Sequence, residues 1–229
     1  MEIKLDKIFF KSKKIHVIVG SSNSGKTKLL SYIWKNYLEK TSFYTQNVND
    51  FFLMKTVKEE LNFSNLQKFN QNNIIDIILS VGLKEKDLDR KINTLTLSEK
   101  SKLELACILL QNKDIILLDE PTIFLDQKEK QNLIKLLKKL KRNKTIVITT
   151  KDLAFALEVC DDICLYHNEI LYFDVKNEAM KNMDWFEKEK ISIPPTLEFS
   201  NKVKNKKNIS IGYRLEINDL IKDIYRNVT

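Results

Sequence analysis

The sequence predicts an α/β fold built on a mainly parallel sheet, and three observations carry that expectation. Ile15-His16-Val17-Ile18-Val19 is a β-branched apolar run that leads into a glycine loop, Gly20 to Thr27, and then into apolar residues at helical spacing. A second apolar run, Ile115 to Leu118, ends in the adjacent carboxylates Asp119 and Glu120. Around these runs, strand patterns alternate with helical ones, which favours parallel strands joined by right-handed crossovers.

The elements follow in order. A buried strand is expected at 15–19, and a helix where Leu29, Leu30, Ile33, Trp34, Tyr37 and Leu38 recur on one face. A strand near 41–45 comes next. From about 47 to 108 the pattern is helical, as in Ile74, Ile75, Ile77, Ile78 and Val81, and reads as an inserted subdomain. After the strand at 114–118, Asn132 to Lys141 sets a Leu/Ile face against lysines, a surface helix over the sheet. Strands near 145–149 and 163–166 complete the sheet. Beyond Phe173 the pattern weakens, and Pro194-Pro195 separates a helical stretch near 178–188 from a lysine-rich tail. Residues 1–173 therefore read as the main domain and 174–229 as an accessory extension.

The loop Gly20-Ser21-Ser22-Asn23-Ser24-Gly25-Lys26-Thr27, followed by Lys28, fits the spacing of a phosphate-binding loop. Backbone N–H groups at a helix start point at phosphates. Lys26 is expected to reach the β- and γ-phosphates and the Thr27 hydroxyl to hold Mg²⁺, with ATP as the nucleotide. A flexible glycine turn with a chance lysine is the alternative, but only four glycines occur in the chain and the strand and helix flank this pair. Asp119 and Glu120 fall at the C-terminal edge of a parallel sheet, where ligands bind in such folds. Successive strand residues face opposite ways. Asp119 therefore suits the Mg²⁺ shell and Glu120 the role of base or water positioner.

Composition excludes several classes. With 229 residues, 43% of them hydrophobic, the chain can bury a sizeable core. No apolar run is long enough to span a membrane, and the first residues lack the apolar stretch of a signal peptide. Cys107, Cys160 and Cys164 lack metal-ligand spacing and read as buried free thiols of a reducing cytoplasm. The net charge of +8 is almost all lysine, with arginine at 90, 142, 214 and 226. No arginine and aromatic stripe accompanies it, so nucleic-acid binding is disfavoured. The densest run, Lys202 to Lys207, reads as a solvated tail, and attraction to an anionic membrane surface stays open.

The order of motifs resembles the ATPase subunit of an ATP-binding cassette (ABC) transporter across nearly the whole chain. Phe43-Tyr44-Thr45-Gln46 resembles the strand end that carries the family's Q-loop glutamine, which implies that Gln46 touches Mg²⁺ and the attacking water. Leu95-Thr96-Leu97-Ser98-Glu99 stands where the family's LSGGQ signature should, and Leu125-Asp126 matches the D-loop. Thr149-Thr150-Lys151 matches the switch loop, which implies a catalytic position for Lys151. Gln46, Phe51-Phe52, Thr56-Val57, Phe63 and Ile193 to Leu197 are similar in spacing to energy-coupling factor ATPases. The resemblance implies a P-loop NTPase core with an inserted helical subdomain. It also implies a head-to-tail pair with a second ATPase subunit and a membrane-embedded transporter partner. The location implied is the cytoplasmic side, peripheral on the inner face of the membrane. Phe51 to Met54 lie where the family docks that partner, with a place in the subdomain core as the plain alternative.

Three departures bear on mechanism. Leu97 and Ser98 replace the two signature glycines, which permit close backbone approach to the phosphate on the opposite subunit. Lys151 replaces the switch-loop histidine and supplies a donor without an acceptor. Only nineteen residues precede Gly20, where the family usually carries a further strand with an aromatic residue for adenine, and Phe9-Phe10 is poorly placed for that. The expected function is transport-coupled ATP hydrolysis in a heterodimer. Alternatives are a nearly inactive regulatory subunit and a soluble ABC protein acting on nucleic acid or ribosomes.

Overall fold

The computed structural model describes residues 3–5, 8–207 and 212–228. An antiparallel ribbon, β1 (Ile3–Leu5) and β2 (Ile8–Phe10), comes first. The sheet strands are β3 (Ile15–Val19), β4 (Thr41–Tyr44), β5 (Ile115–Asp119), β6 (Thr145–Thr150), β7 (Asp162–His167) and β8 (Glu169–Val175). They lie in the order β4-β5-β6-β3-β7-β8, with every pair parallel except β7 and β8. The strand that carries the glycine loop is thus flanked on both sides, and the ends of β5, β6 and β7 open beside it.

Helix α1 (Lys26–Asn36) follows β3. The insertion between β4 and β5 holds α2 (Val57–Ser64), α3 (Gln71–Ser80) and α4 (Leu97–Leu110). Then come α5 (Gln127–Leu140) and α6 (Leu153–Val159), and after the sheet α7 (Lys176–Lys181), α8 (Asp184–Lys188), α9 (Pro195–Lys207) and α10 (Ile217–Val228).

Alternation along the strands sorts the interior into two faces. Val17, Val19, Ile116, Leu118, Ile146 and Ile148 turn toward α5 and α6, while Ile18, Ile115, Leu117 and Val147 turn toward Leu29, Leu30 and Ile33 of α1. Strands covered on both faces are apolar throughout, which is why these runs read as continuous rather than alternating. Each fully buried Leu, Ile or Val is worth about 1.5–3 kcal/mol. The insertion has its own interior, built on Val57, Leu61, Ile74, Ile78, Leu103 and Cys107.

Three expectations change. A short chain before the glycine loop suggested no strand there, but β1 and β2 form; Phe10 is fully buried, edge-on to Phe173, and is a core residue. The side chain of Phe9 lies outside the described residues. Second, Ala179, Met180, Met183, Phe186, Ile191 and Leu197 share the interior of the sheet, so the start of the segment read as an extension is packed into the main core. Its helices are short, and their apolar positions give weak periodicity. Third, Lys202 to Lys207 lie in α9, a helix rather than a loose tail; residues 208–211 fall outside the described residues. The three cysteines are buried and free. Among the described residues no helix is long and apolar enough to cross a membrane.

Candidate active site

The glycine loop owes its shape to two positions. A Cβ on Gly20 would lie 2.5 Å from the Ser24 hydroxyl and closer still to the carbonyl oxygen of Tyr166. Gly25 has φ 89°, the left-handed region, and caps the start of α1. Asn23 shares that region at φ 65°, tolerable for asparagine. The loop is moored to the sheet by Gly20 N–H donating to Thr150 O (3.3 Å), and Asn168 N–H donating to Ser24 O (2.8 Å). Ser24 Oγ is buried with no hydrogen-bond partner among the described residues.

Lys26 is buried, and its ammonium donates to the carbonyls of Gly20 (2.8 Å) and Ser21 (2.9 Å), 3.7 Å from Glu120. Burial lowers the Lys26 pKa, an effect opposed by the nearby Glu120 and Asp119 charges. Burial likewise raises that of Glu120, against the pull of Lys26. Both shifts have the same cause, burial of the two groups, and each is opposed by the charge of the other.

The two carboxylates do part, but through a turn of the backbone at Glu120 rather than through the alternation expected of a strand. Asp119 is the last residue of β5 and turns toward α1, where it accepts a hydrogen bond from Thr27 Oγ1 (2.7 Å) and another from Thr149 Oγ1. Glu120 follows at φ 50°, a left-handed conformation rare outside glycine, which costs of order 1–3 kcal/mol and recurs where function holds a residue in place. Its N–H donates to Thr149 O (2.9 Å), and its carboxylate accepts from the Lys151 N–H (3.3 Å).

One cavity of about 380 Å³ gathers Ser22 through Lys28, Gln46, Glu120, Lys151 and Asn168. The hydroxyl of Thr27, the carboxylate of Asp119 and the amide of Gln46 supply oxygen donors, the type that suits Mg²⁺. The cradle closed around Gly20 and the buried ammonium fit a triphosphate. Sequence reading missed Thr149, which orients Asp119, and Asn168, which reaches the loop from the β7–β8 turn. Thr149 stands in the switch-loop stretch, where the sequence gives it no role of its own, and Asn168 lies in no local motif; asparagine at a strand end hints at a turn and no more.

Thr96, Ser98 and Glu99 of the signature line a different cavity, with Arg90, Asp126 and Glu129. Leu95 is buried, while Thr96 caps α4 in a reciprocal bond with Glu99: the Glu99 N–H donates to Thr96 Oγ1 (3.2 Å) and the Thr96 N–H to the Glu99 carboxylate (2.9 Å). The Thr96 hydroxyl only accepts here, so its proton stays free to donate. Leu97 is 43% exposed on the first turn. Ser98 donates to the Glu129 carboxylate (2.9 Å), which also holds Lys102. Arg90 grips Glu99 with both ends of its guanidinium (2.7 and 3.1 Å). Asp126 caps α5 by accepting from the Glu129 N–H (2.8 Å).

The apolar segment after Gln46 divides. Phe51 and Phe52 meet edge-on at 5.3 Å and pack on the insertion's interior, whereas Leu53 and Phe63 are 70% and 55% exposed. His167 is half exposed and pairs with Glu189 (2.7 Å) at the surface.

Comparison with known proteins places this geometry. Residues 6–123 match the model of a family described as ABC transporter. An ABC transporter ATP-binding protein of Mycoplasma genitalium is 28% identical, over 90% of this chain and 67% of its own. An energy-coupling factor transporter ATP-binding protein, EcfA1 of Mycoplasma mobile, is 27% identical over 86% of this chain and 82% of its own. The chain spans only 38% and 32% of two further relatives. The structure of cbiO1 from Clostridium perfringens superposes with a TM-score of 0.66, over 85% of this chain and 90% of that one, at 16% identity. That likeness speaks to the fold.

Proposed function

Because this chain belongs to the ABC transporter family, we propose that it is an ATP-binding and ATP-hydrolysing subunit of a membrane transporter, of energy-coupling factor type. The observation that carries the reading is the meeting of Lys26, Thr27, Asp119 and Glu120 at one edge of the sheet, with Thr27 and Asp119 in direct contact at 2.7 Å.

The loop N–H groups and Lys26 bind the phosphates. Thr27, Asp119 and Gln46 would hold Mg²⁺, which when bound would neutralise charge on the phosphate oxygens. Glu120, as carboxylate, orients the attacking water and accepts its proton, and its strained backbone keeps the side chain over Lys26. Lys151 adds a positive donor at the cavity wall. The likeness to an energy-coupling factor ATPase over most of both chains supports the transporter type. Exposed Leu53 and Phe63 suit contact with a membrane subunit, on the cytoplasmic face.

The signature works on a partner's nucleotide, and here it offers a weak clamp: Leu97 projects from the first turn, and the Ser98 hydroxyl donates its proton to Glu129 within the chain, although the Thr96 hydroxyl, which only accepts, keeps a proton to donate. A second ATPase with a glycine-rich signature completes the site built on Lys26 and Glu120, so a heterodimer turns over faster than a homodimer. A nearly inactive regulatory subunit is the second reading, and the engaged Ser98 is the observation that favours it. ATP turnover of the chain alone, and after co-expression with a second cassette, separates the two. Stimulation by the partner that is lost on Glu120→Gln supports the enzyme. Tight ATP binding without turnover in either state supports the regulator. Robust turnover alone, unimproved by Leu97→Gly and Ser98→Gly, overturns the heterodimer.

A further inference from the structure

The helix that begins at the signature also holds the base of the Gln46 loop. α4 divides its buried side chains between the two interiors, with Leu105 and Ile108 on the sheet side and Leu103, Ala106 and Cys107 in the insertion. Between them sits Glu104, with no exposed surface. One of its oxygens accepts from both the backbone N–H (2.7 Å) and the hydroxyl (3.0 Å) of Thr45, the residue before Gln46. The other oxygen is buried with no partner among the described residues. Two neighbouring contacts reinforce the join: Ser101 Oγ lies 2.7 Å from the Tyr44 hydroxyl, and Lys100 donates to Asn49 (2.8 Å).

Burial pushes the Glu104 carboxyl up to about 7, which marks how unfavourable this place is for a charge. A half-satisfied carboxyl is a poor way to fill space between two apolar interiors, where an aliphatic side chain would pack without the desolvation. What an aliphatic side chain lacks is the acceptor for Thr45. Gln46 itself is exposed at the cavity rim, so its placement depends on the backbone that precedes it.

We propose that Glu104 is a positioning residue for Gln46: by clamping Thr45 to α4 it sets where the glutamine enters the metal side of the nucleotide cavity. One helix then joins the signature to the chain's own nucleotide. The inference rests on the reading of Gln46 as a Mg²⁺ ligand given above.

The experiment titrates the full chain with ATP in the presence of Mg²⁺ and in EDTA. Glu104→Ala weakens binding of the Mg²⁺ complex about three- to tenfold, the scale of one lost hydrogen bond, and changes binding in EDTA less than about twofold. Glu104→Gln keeps an acceptor oxygen and stays within about twofold of wild type. In a Gln46→Ala background, Glu104→Ala adds less than about twofold, because the two act through one contact. Glu104→Met fills similar volume without an acceptor and replaces the alanine variant if that one does not fold. Equal weakening with and without Mg²⁺, or full additivity with Gln46→Ala, overturns the inference while leaving the proposed function standing. A wild-type chain that does not bind ATP overturns both.

Discussion

Alanine at Gly20 tests the site through its backbone, because the substitution adds one methyl group and removes nothing. The added Cβ would stand 2.5 Å from Ser24 Oγ and closer to the Tyr166 carbonyl oxygen, where contacts under 3.0 Å are essentially never seen. The serine hydroxyl can swing aside. The carbonyl has less freedom, because Tyr166 lies in β7 and pairs with Ile170 of β8, next to an irregularity of the register. Relief therefore comes largely from the loop, which must shift by more than 0.5 Å to clear the carbonyl. Such overpacking costs about 1–3 kcal/mol of stability. It also misplaces the N–H groups that face the phosphates. Losing two or three such bonds, at about 0.5–1.5 kcal/mol each, weakens nucleotide affinity about 5- to 2,000-fold. Calorimetric titration with Mg²⁺ and ATP, alongside thermal unfolding, reads both effects. Gly82→Ala is the control: its Cβ meets nothing nearer than Lys102 Cε at 3.8 Å, yet φ is +88°, so it costs about 1–2 kcal/mol of stability without changing affinity. Wild-type affinity in Gly20→Ala would refute the steric argument and, with it, the placement of phosphate in this loop.

Three further outcomes are expected. Lys26→Ala removes the buried ammonium and lowers ATP affinity by about 100-fold or more in titration, while the far-ultraviolet circular dichroism spectrum stays that of wild type. Glu120→Gln keeps the size of the side chain and lowers any measured turnover by about 10²–10⁴-fold with ATP still bound; an unchanged rate shows that the carboxylate is not the base. Glu99→Gln reports on the Arg90 contact: Arg90 holds the Glu99 carboxyl down to about 2, against an ordinary value of 4.5. The carboxylate thus contributes stability that is full above about pH 4.5 and is lost as pH falls toward 2. Thermal unfolding should show Glu99→Gln below wild type by about 2–4 °C at pH 7, with the gap about halved by pH 3. A gap independent of pH means the contact carries no charge term.

The sequence by itself determined the parts whose geometry is local. Gly20, Gly25 and Lys26 act within one loop, so their spacing along the chain is nearly their spacing in space. The apolar run marked Asp119 and Glu120 as the end of a strand, and Asp119 does face α1, but the left-handed backbone that turns Glu120 aside left no mark in the residue pattern. The tertiary structure decided what depends on neighbours far along the chain. Thr149 orients Asp119 only because β6 lies beside β5, and Asn168 reaches the loop only because β7 lies beside β3. The same holds for the Ser98 hydroxyl, held by Glu129, and for Glu104, whose carboxyl looks like a solvated charge in a list of residues. Met183, Phe186 and Leu197 belong to the main core although their short helices show little periodicity. Periodicity reports which face of an element is buried; it carries no information on which other element covers that face, since strand order in a parallel sheet is set by crossovers and by the fit of side chains brought together from distant parts of the chain.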